Sequence, residues 1–159
     1  MRDYAVERHL RDSRITTIYE GTTQIQVSAA MRPAAGGAAG AIIEDLLGGS
    51  WPAGVSDLAD ELRGGKRLFD EALSFAANHP ARDYTEIHGR RIVDMAVGLI
   101  IGALLSRQAA GDLSKHAIAK RWIVAKHHEA RTLRDIVVSG DRSVVDDFDA
   151  LTGGILPSE

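Results

Sequence analysis

The sequence predicts an all-α protein, an antiparallel helical bundle of about four main helices. Apolar residues recur at helical spacing nearly throughout, and no stretch alternates as a strand would. Clusters of Gly and Pro punctuate that pattern at short turns, which sends successive helices back along one another. One run, Met95 to Leu105 (MAVGLIIGALL), is apolar almost all round, as the central helix of a bundle must be.

Taken in order, Val6 to Asp12 is a short amphipathic stretch. Ile15 to Glu20 (ITTIYE) is rich in β-branched residues and reads as an extended connection. Thr22 can cap a helix with Ile25, Ala29 and Ala30 on its buried side. Pro33 and the pair Gly36-Gly37 end that helix and mark the best domain boundary. A short helix follows from Ala38 to Leu47, and Gly48-Gly49-Ser50-Trp51-Pro52 breaks the chain again.

Three longer helices come next. The first covers about Val55 to Asn78, with Leu58, Leu62, Leu68, Phe69, Leu73 and Phe75 as its apolar positions. Gly64-Gly65 predicts a kink or break in it, and His79-Pro80 ends it. The second covers about Tyr84 to Ala109 and stops at Gly111. The third covers about Ser114 to Val138, with Ile118, Trp122, Ala125, Leu133, Ile136 and Val137 as buried candidates. A last short helix spans Val144 to Leu151, before a Gly-rich tail. Gly98 and Gly102 form a small-x-x-x-small pair, which reads as tight packing within the domain or as a subunit contact.

Composition narrows the function classes. A chain of 159 residues makes one compact domain, or a small domain with an attached segment. Aromatics are only 5 %, so Ala, Leu, Ile and Val must build the core. A net charge of −3 lacks the basic excess of a nucleic-acid binder. The absence of cysteine excludes disulfides, thiolate metal sites and a Cys nucleophile, and a cytoplasmic location is expected. The Met95–Leu105 run falls short of the roughly 20 residues a bilayer span needs. The opening MRDYAVERHL lacks the apolar stretch of a signal peptide.

Lesser signals lead to weaker chemistry. His127-His128-Glu129 resembles a metal cluster, but adjacent helical residues point apart, and His116 does not complete the usual ligand spacing. No metal site is expected. Gly64-Gly65-Lys66 lacks the flanking residues of a phosphate loop. Lys115, Lys120, Arg121, Lys126, Arg131 and Arg134 make one helix basic. That reads as a solvated face balanced by Asp146, Asp147 and Asp149, or as a contact for phosphate groups of a ligand.

One string is far more specific. Arg2 to Gln26 reads RDYAVERHLRDSRITTIYEGTTQIQ. It resembles the carboxyl-terminal signature of the acyl-CoA dehydrogenase flavoenzymes, strongly over about the first 30 residues. The remainder resembles, more weakly, a helical extension carried by some bacterial members. Ala5, Ser13 and Val27 depart from the commonest residues at their positions, none of them at the reacting groups.

The resemblance implies roles. Dehydrogenation removes a proton from the carbon beside the thioester carbonyl and a hydride from the next carbon. Glu20 would be the base, because a carboxylate shielded from water gains proton affinity. Gly21 would lie against the substrate, where a missing side chain admits the thioester, and Tyr19 would wall the cavity. Thr22, Thr23 and Gln24 match positions that contact FAD, at a helix start whose free N–H groups suit phosphate-like acceptors. An acyl-CoA substrate, electron-transfer flavoprotein as acceptor and a homo-oligomer are implied too.

On this reading residues 1–32 are the last, catalytic segment of the family's helical carboxyl-terminal domain. Residues 33–52 form a linker with a short helix, and residues 53–159 an appended bundle. The family's amino-terminal helical domain, its β-domain and its upstream flavin motif have no counterpart in the string, and Met1 falls where the family continues an upstream helix. The isolated chain is therefore expected to be inactive, with residues 1–32 lacking a partner for their buried faces. The alternative is a non-catalytic helical oligomerisation or interaction module, or a separate subunit completing a partner's site.

Overall fold

The computed structural model describes residues 6–17 and 23–153. Among these there are helices and no strands, so the all-α expectation holds. The helices are α1 (Val6–Arg14), α2 (Thr23–Ala35), α3 (Ala38–Leu47), α4 (Ser56–Asn78), α5 (Tyr84–Ile87), α6 (Gly89–Gly111), α7 (His116–Val138), α8 (Ser143–Asp146) and α9 (Phe148–Thr152).

The core is a seam between long helices. On α4, Leu58, Leu62, Gly65, Phe69, Ala72 and Ala76 are buried, in steps of four and three residues. On α7, Ala119, Ile123, Ala130 and Val137 are buried with the same register. Such spacing keeps one stripe facing a partner helix along its whole length. α6 packs against both and buries residues round most of its circumference, from Ile92 to Ala109. It is long and apolar enough to cross a membrane by length and composition, yet more than half of its apolar window is buried inside the bundle.

Pairwise contacts give the directions. Asp57 meets His116, and Glu71 meets Arg134, so α4 and α7 run parallel. Gly65 lies against Leu99, and Gly102 against both Leu62 and Ile123, so α6 runs opposite to both. Met31 of α2 sits on Gly89 at the start of α6, while Arg107 near its end donates to the Asp45 and Leu46 carbonyls at the end of α3. α2 and α3 thus run in turn along α6, as one leg bent at Gly36-Gly37, where Gly37 takes the left-handed φ of 85°. The short helix expected between residues 33 and 52 is α3, and its Ala39, Ile43 and Leu47 are buried in the common core.

Several details differ from the sequence reading. α2 continues past Pro33 to Ala35. Its buried residues are Val27 and Ala34, with Met31 half-buried, whereas Ile25 and Ala29 are exposed and Ala30 is half-buried. Contact with α6, and not local pattern, chooses that face. On α7, Ile118 and Ala125 are exposed and Trp122, Leu133 and Ile136 only half-buried, because the helix must face α4 and α6 together. The expected Tyr84–Ala109 helix is broken at His88 into α5 and α6, and the expected Val144–Leu151 helix is the two short helices α8 and α9.

The glycines expected to break α4 instead admit its neighbours. α4 is continuous through Gly64 and Gly65. A Cβ on Gly64 would lie 2.9 Å from the His127 ring, and one on Gly65 2.9 Å from Leu99 Cδ2. On α6, a Cβ at Gly102 would meet Leu62 at 2.8 Å and Ile123 at 3.2 Å. Gly98 and Gly102 are both buried, so the pair serves packing within the domain and not a subunit contact.

The break at His88 has a physical cause at the far end of the bundle. Tyr84 is fully buried and its hydroxyl donates to the Val137 carbonyl at 2.6 Å. His79 stacks on Tyr84 with ring centroids 3.8 Å apart. His88 is buried, with Nε2 3.1 Å from the Asp141 carbonyl, so that nitrogen carries the proton. Arg142 pairs with Asp83 and Asp146. Together these groups fasten the turn after α7 to α5 and the start of α6.

Two predictions follow from this packing. Gly102→Ala is expected to destabilise by about 1 kcal/mol net, since overpacking of roughly 1–3 kcal/mol outweighs the helix-propensity gain. Gly40→Ala, where a Cβ meets nothing within 4 Å, is expected to stabilise by about 0.4–1 kcal/mol. Urea titration of both variants checks the pair, and an unchanged Gly102→Ala would show that the approach is not tight.

The buried histidine adds a dependence on pH. Burial holds the His88 pKa below the ordinary histidine value, against the opposing pull of the Asp141 carbonyl. The unfolded chain takes up this proton first as pH falls below about 6.5, so stability declines until the folded-state pKa is passed. His88→Gln should flatten the stability profile between about pH 7 and 5. A parent-like slope in that variant would assign the effect elsewhere.

Candidate functional site

The resemblance centres on residues 19–24. Tyr19, Glu20, Gly21 and Thr22 lie outside the described residues. Thr23 and Gln24 are the first two residues of α2, and both are exposed. The first backbone N–H groups of a helix have no partner within it, so this end presents donors alongside a hydroxyl and an amide. The Ser28 hydroxyl donates to the Gln24 carbonyl at 3.0 Å, within the helix itself.

On the approach to this point, α1 is exposed at every residue from Glu7 to Arg14. Glu7 and Arg11 face each other at 3.9 Å, a surface pair of small energetic weight. Residues Ile15–Thr17 form a 3-10 turn, where an extended connection was expected. Polar side chains bending back produce it: Ser13 donates to the Leu10 carbonyl at 3.0 Å and Thr16 to the Ser13 carbonyl at 2.6 Å.

The second half of α2 is anchored. Val27 and Ala34 are buried and Met31 packs on α6, where a Cβ at Gly89 would stand 3.0 Å from Met31 Cγ. The expectation that residues 1–32 lack a packing partner therefore fails for this half-helix. One stiff helix joins the exposed Thr23 and Gln24 to the bundle. Nothing in the local pattern around Gly89 points to this contact; only the fold reveals it.

Other charged clusters are accounted for by pairing. His116 Nε2 lies 3.1 Å and Lys120 Nζ 3.6 Å from Asp57. The hydrogen bond from His116, with the nearby charges, holds the Asp57 carboxyl below its usual range. His127 Nδ1, shielded from water, lies 2.6 Å from Glu61 without the alignment of a hydrogen bond. His128 points to solvent, and Glu129 pairs with Lys126 at 2.6 Å. Among the described residues, no three His, Cys, Asp or Glu side chains converge as metal ligands. Lys66 lies within α4 and pairs with Glu44 and Asp70, so Gly64-Gly65-Lys66 is not a loop.

Of the basic residues on and before α7, Lys120, Lys126 and Arg134 are paired, though not with the acidic residues expected. Their partners are Asp57, Glu71, Glu129 and Asp135, while Asp146 pairs with Arg142.

Residues 1–34 match the family model for the acyl-CoA dehydrogenase C-terminal domain. The match covers 34 residues of the 159 and ends within α2, at the Ala34 that is buried in the bundle core. No curated protein and no solved structure matches the chain.

The anchoring of α2 is open to test. Met31→Ala removes a half-buried side chain from the contact and should cost about 1–2 kcal/mol locally, below the full core penalty. Hydrogen exchange should quicken in α2 while the amides of α4 and α7 keep their protection. A uniform increase across the bundle would show that α2 is not separately anchored.

Proposed function

We propose that this chain carries the closing catalytic segment of a flavin-dependent acyl-CoA dehydrogenase, followed by a helical bundle that fixes the segment's last helix. The family match over residues 1–34 carries this reading. The order and spacing of Arg-Asp-Tyr, Val-Glu-Arg, Leu-Arg-Asp and Ile-Tyr-Glu-Gly-Thr support it. In this reading Glu20 removes the proton beside the thioester carbonyl, and its protein surroundings raise its proton affinity by excluding water. Gly21 leaves room for the thioester, and Tyr19 closes one wall. Bound FAD supplies the hydride acceptor.

Thr22, Thr23 and Gln24 are the cofactor contacts of this proposal. The exposure of Thr23 and Gln24 at the start of α2 suits polar groups approaching from outside the bundle. The product is the trans-2-enoyl-CoA, electrons pass to electron-transfer flavoprotein, and the enzyme works as a cytoplasmic homo-oligomer. The chain by itself does not turn over, since Glu20 alone holds neither thioester nor flavin.

A second reading has one observation in its favour. Leu10, Ile15 and Ile25, all within the matched segment, are exposed. They suit a chain that completes the site of a partner lacking this segment.

Assays of acyl-CoA oxidation distinguish these readings. The isolated chain with added FAD should show no turnover above its Glu20→Gln variant. In a complete dehydrogenase carrying this segment, Glu20→Gln should lower turnover by roughly 10²–10⁴-fold while the flavin spectrum is retained. Turnover by the isolated chain, or full activity of that variant, would refute the assignment. Activity restored to a core lacking the segment by adding this chain would select the second reading.

A further inference from the structure

Gly89 opens α6 and lies beneath the middle of α2. It is buried, and a Cβ there would stand 3.0 Å from Met31 Cγ, 3.5 Å from Met31 Sδ and 3.9 Å from Val27 Cγ1. Its φ is not left-handed, so the position uses the missing Cβ and not conformational freedom. The seat is firm. His88, next to it, is held through Nε2 to the Asp141 carbonyl, and Tyr84, one turn earlier, through its hydroxyl to the Val137 carbonyl. Near the other end of α2, Ala34 is buried in the common core. The first turn of α2 overhangs the seat, and every residue from Thr23 to Gln26 is exposed.

We propose that Gly89 and Met31 are positioning residues for the cofactor contacts of Thr23 and Gln24, with α2 as the lever between them. The inference rests on the dehydrogenase reading for what the start of α2 meets. Met31 is three residues from Ala34 and Thr23 is eleven. At about 1.5 Å per residue, a displacement at Met31 therefore grows roughly three- to fourfold by Thr23. A Cβ at 3.0 Å obliges Met31 to give by a few tenths of an ångström. The lever turns that into about 1 Å at Thr23 and Gln24, and a misplacement of that size can cost up to about 10²-fold in a site. Bundle residues outside the matched segment thus set the geometry of residues inside it.

Residual dipolar couplings of the backbone amides test the lever in the full chain. Gly89→Ala should tilt α2 against α4 and α7 by roughly 5°, the angle of a few tenths of an ångström over the three-residue arm, with helical content unchanged. Adding Met31→Ala removes the atoms that the new Cβ meets, so the double variant should return α2 toward its parent orientation. Met31→Ala alone should average the α2 couplings toward zero while those of α4 and α7 persist, a result that does not depend on the folding of Gly89→Ala. In a complete dehydrogenase carrying this chain, Gly89→Ala should weaken FAD binding by roughly tenfold, read from the flavin absorbance, and the double variant should recover it. An α2 indifferent to Gly89→Ala and to Met31→Ala, or a double variant that stays tilted, would overturn the proposal. A tilted α2 with unchanged FAD affinity would overturn it too, while loss of turnover in Glu20→Gln kept the dehydrogenase reading standing. Full turnover of Glu20→Gln would remove both.

Discussion

The distance at which α6 meets α4 and α7 is the constraint on which the other features depend. It is set by side chains that are absent. At Gly102 the missing Cβ leaves the space taken by Leu62 from one side and Ile123 from the other. At Gly98 the backbone is close enough for its carbonyl to accept from Trp122 Nε1 at 3.1 Å, and the stem of Lys126 lies over the same residue. Lys126 Nζ then stands 5.4 Å from the Trp122 ring centroid, a cation–π contact at the edge of the bundle. Gly65 of α4 completes the layer against Leu99. With few aromatics in the chain, close backbone approach does the packing that large side chains do elsewhere.

That close approach leaves polar groups to be satisfied, and the molecule handles them differently at its centre and at its ends. In the centre, Ser106 is fully buried and donates to the Gly102 carbonyl at 2.9 Å, so the bond stays within one helix. At the far end, Tyr84 and His88 spend their polar atoms on carbonyls at the end of α7 and in the turn beyond it. The ion pairs between α4 and α7 lie nearer to water. The carboxylates of Asp57, Glu61 and Glu71 are about half exposed, so these pairs set register more than they add stability.

Much of the bundle was legible in the sequence, because its punctuation is local. Gly36-Gly37 and His79-Pro80 act where they stand, and the Met95–Leu105 run declares α6 central whatever surrounds it. Burial phase was less legible. A helix facing two partners, as α7 does, turns its most buried line to a compromise between them, and Ala119 and Ala130 were chosen over Ile118 and Ala125 for reasons that lie on α4 and α6. Gly64-Gly65 misled in the same way: a local rule reads paired glycines as a break, while the fold uses them as a contact. The site was legible only as a resemblance, since Glu20 before Gly21 has no distinguishing chemistry without what surrounds it.

The relation between the matched segment and the bundle is mechanical. α2 belongs to both. Its first residues, Thr23 and Gln24, are exposed, and its later ones, Val27, Met31 and Ala34, are held against α6 and the common core. The elements that could bend, Pro33 and the turn at Gly36-Gly37, come at the end of α2, with the Met31 contact on Gly89 before them. Flexing there would move α3 relative to α2 without loosening α2 from α6. The orientation of the start of α2 is therefore set by α6 directly, through a helix too short to bend, and not through the connection that follows it.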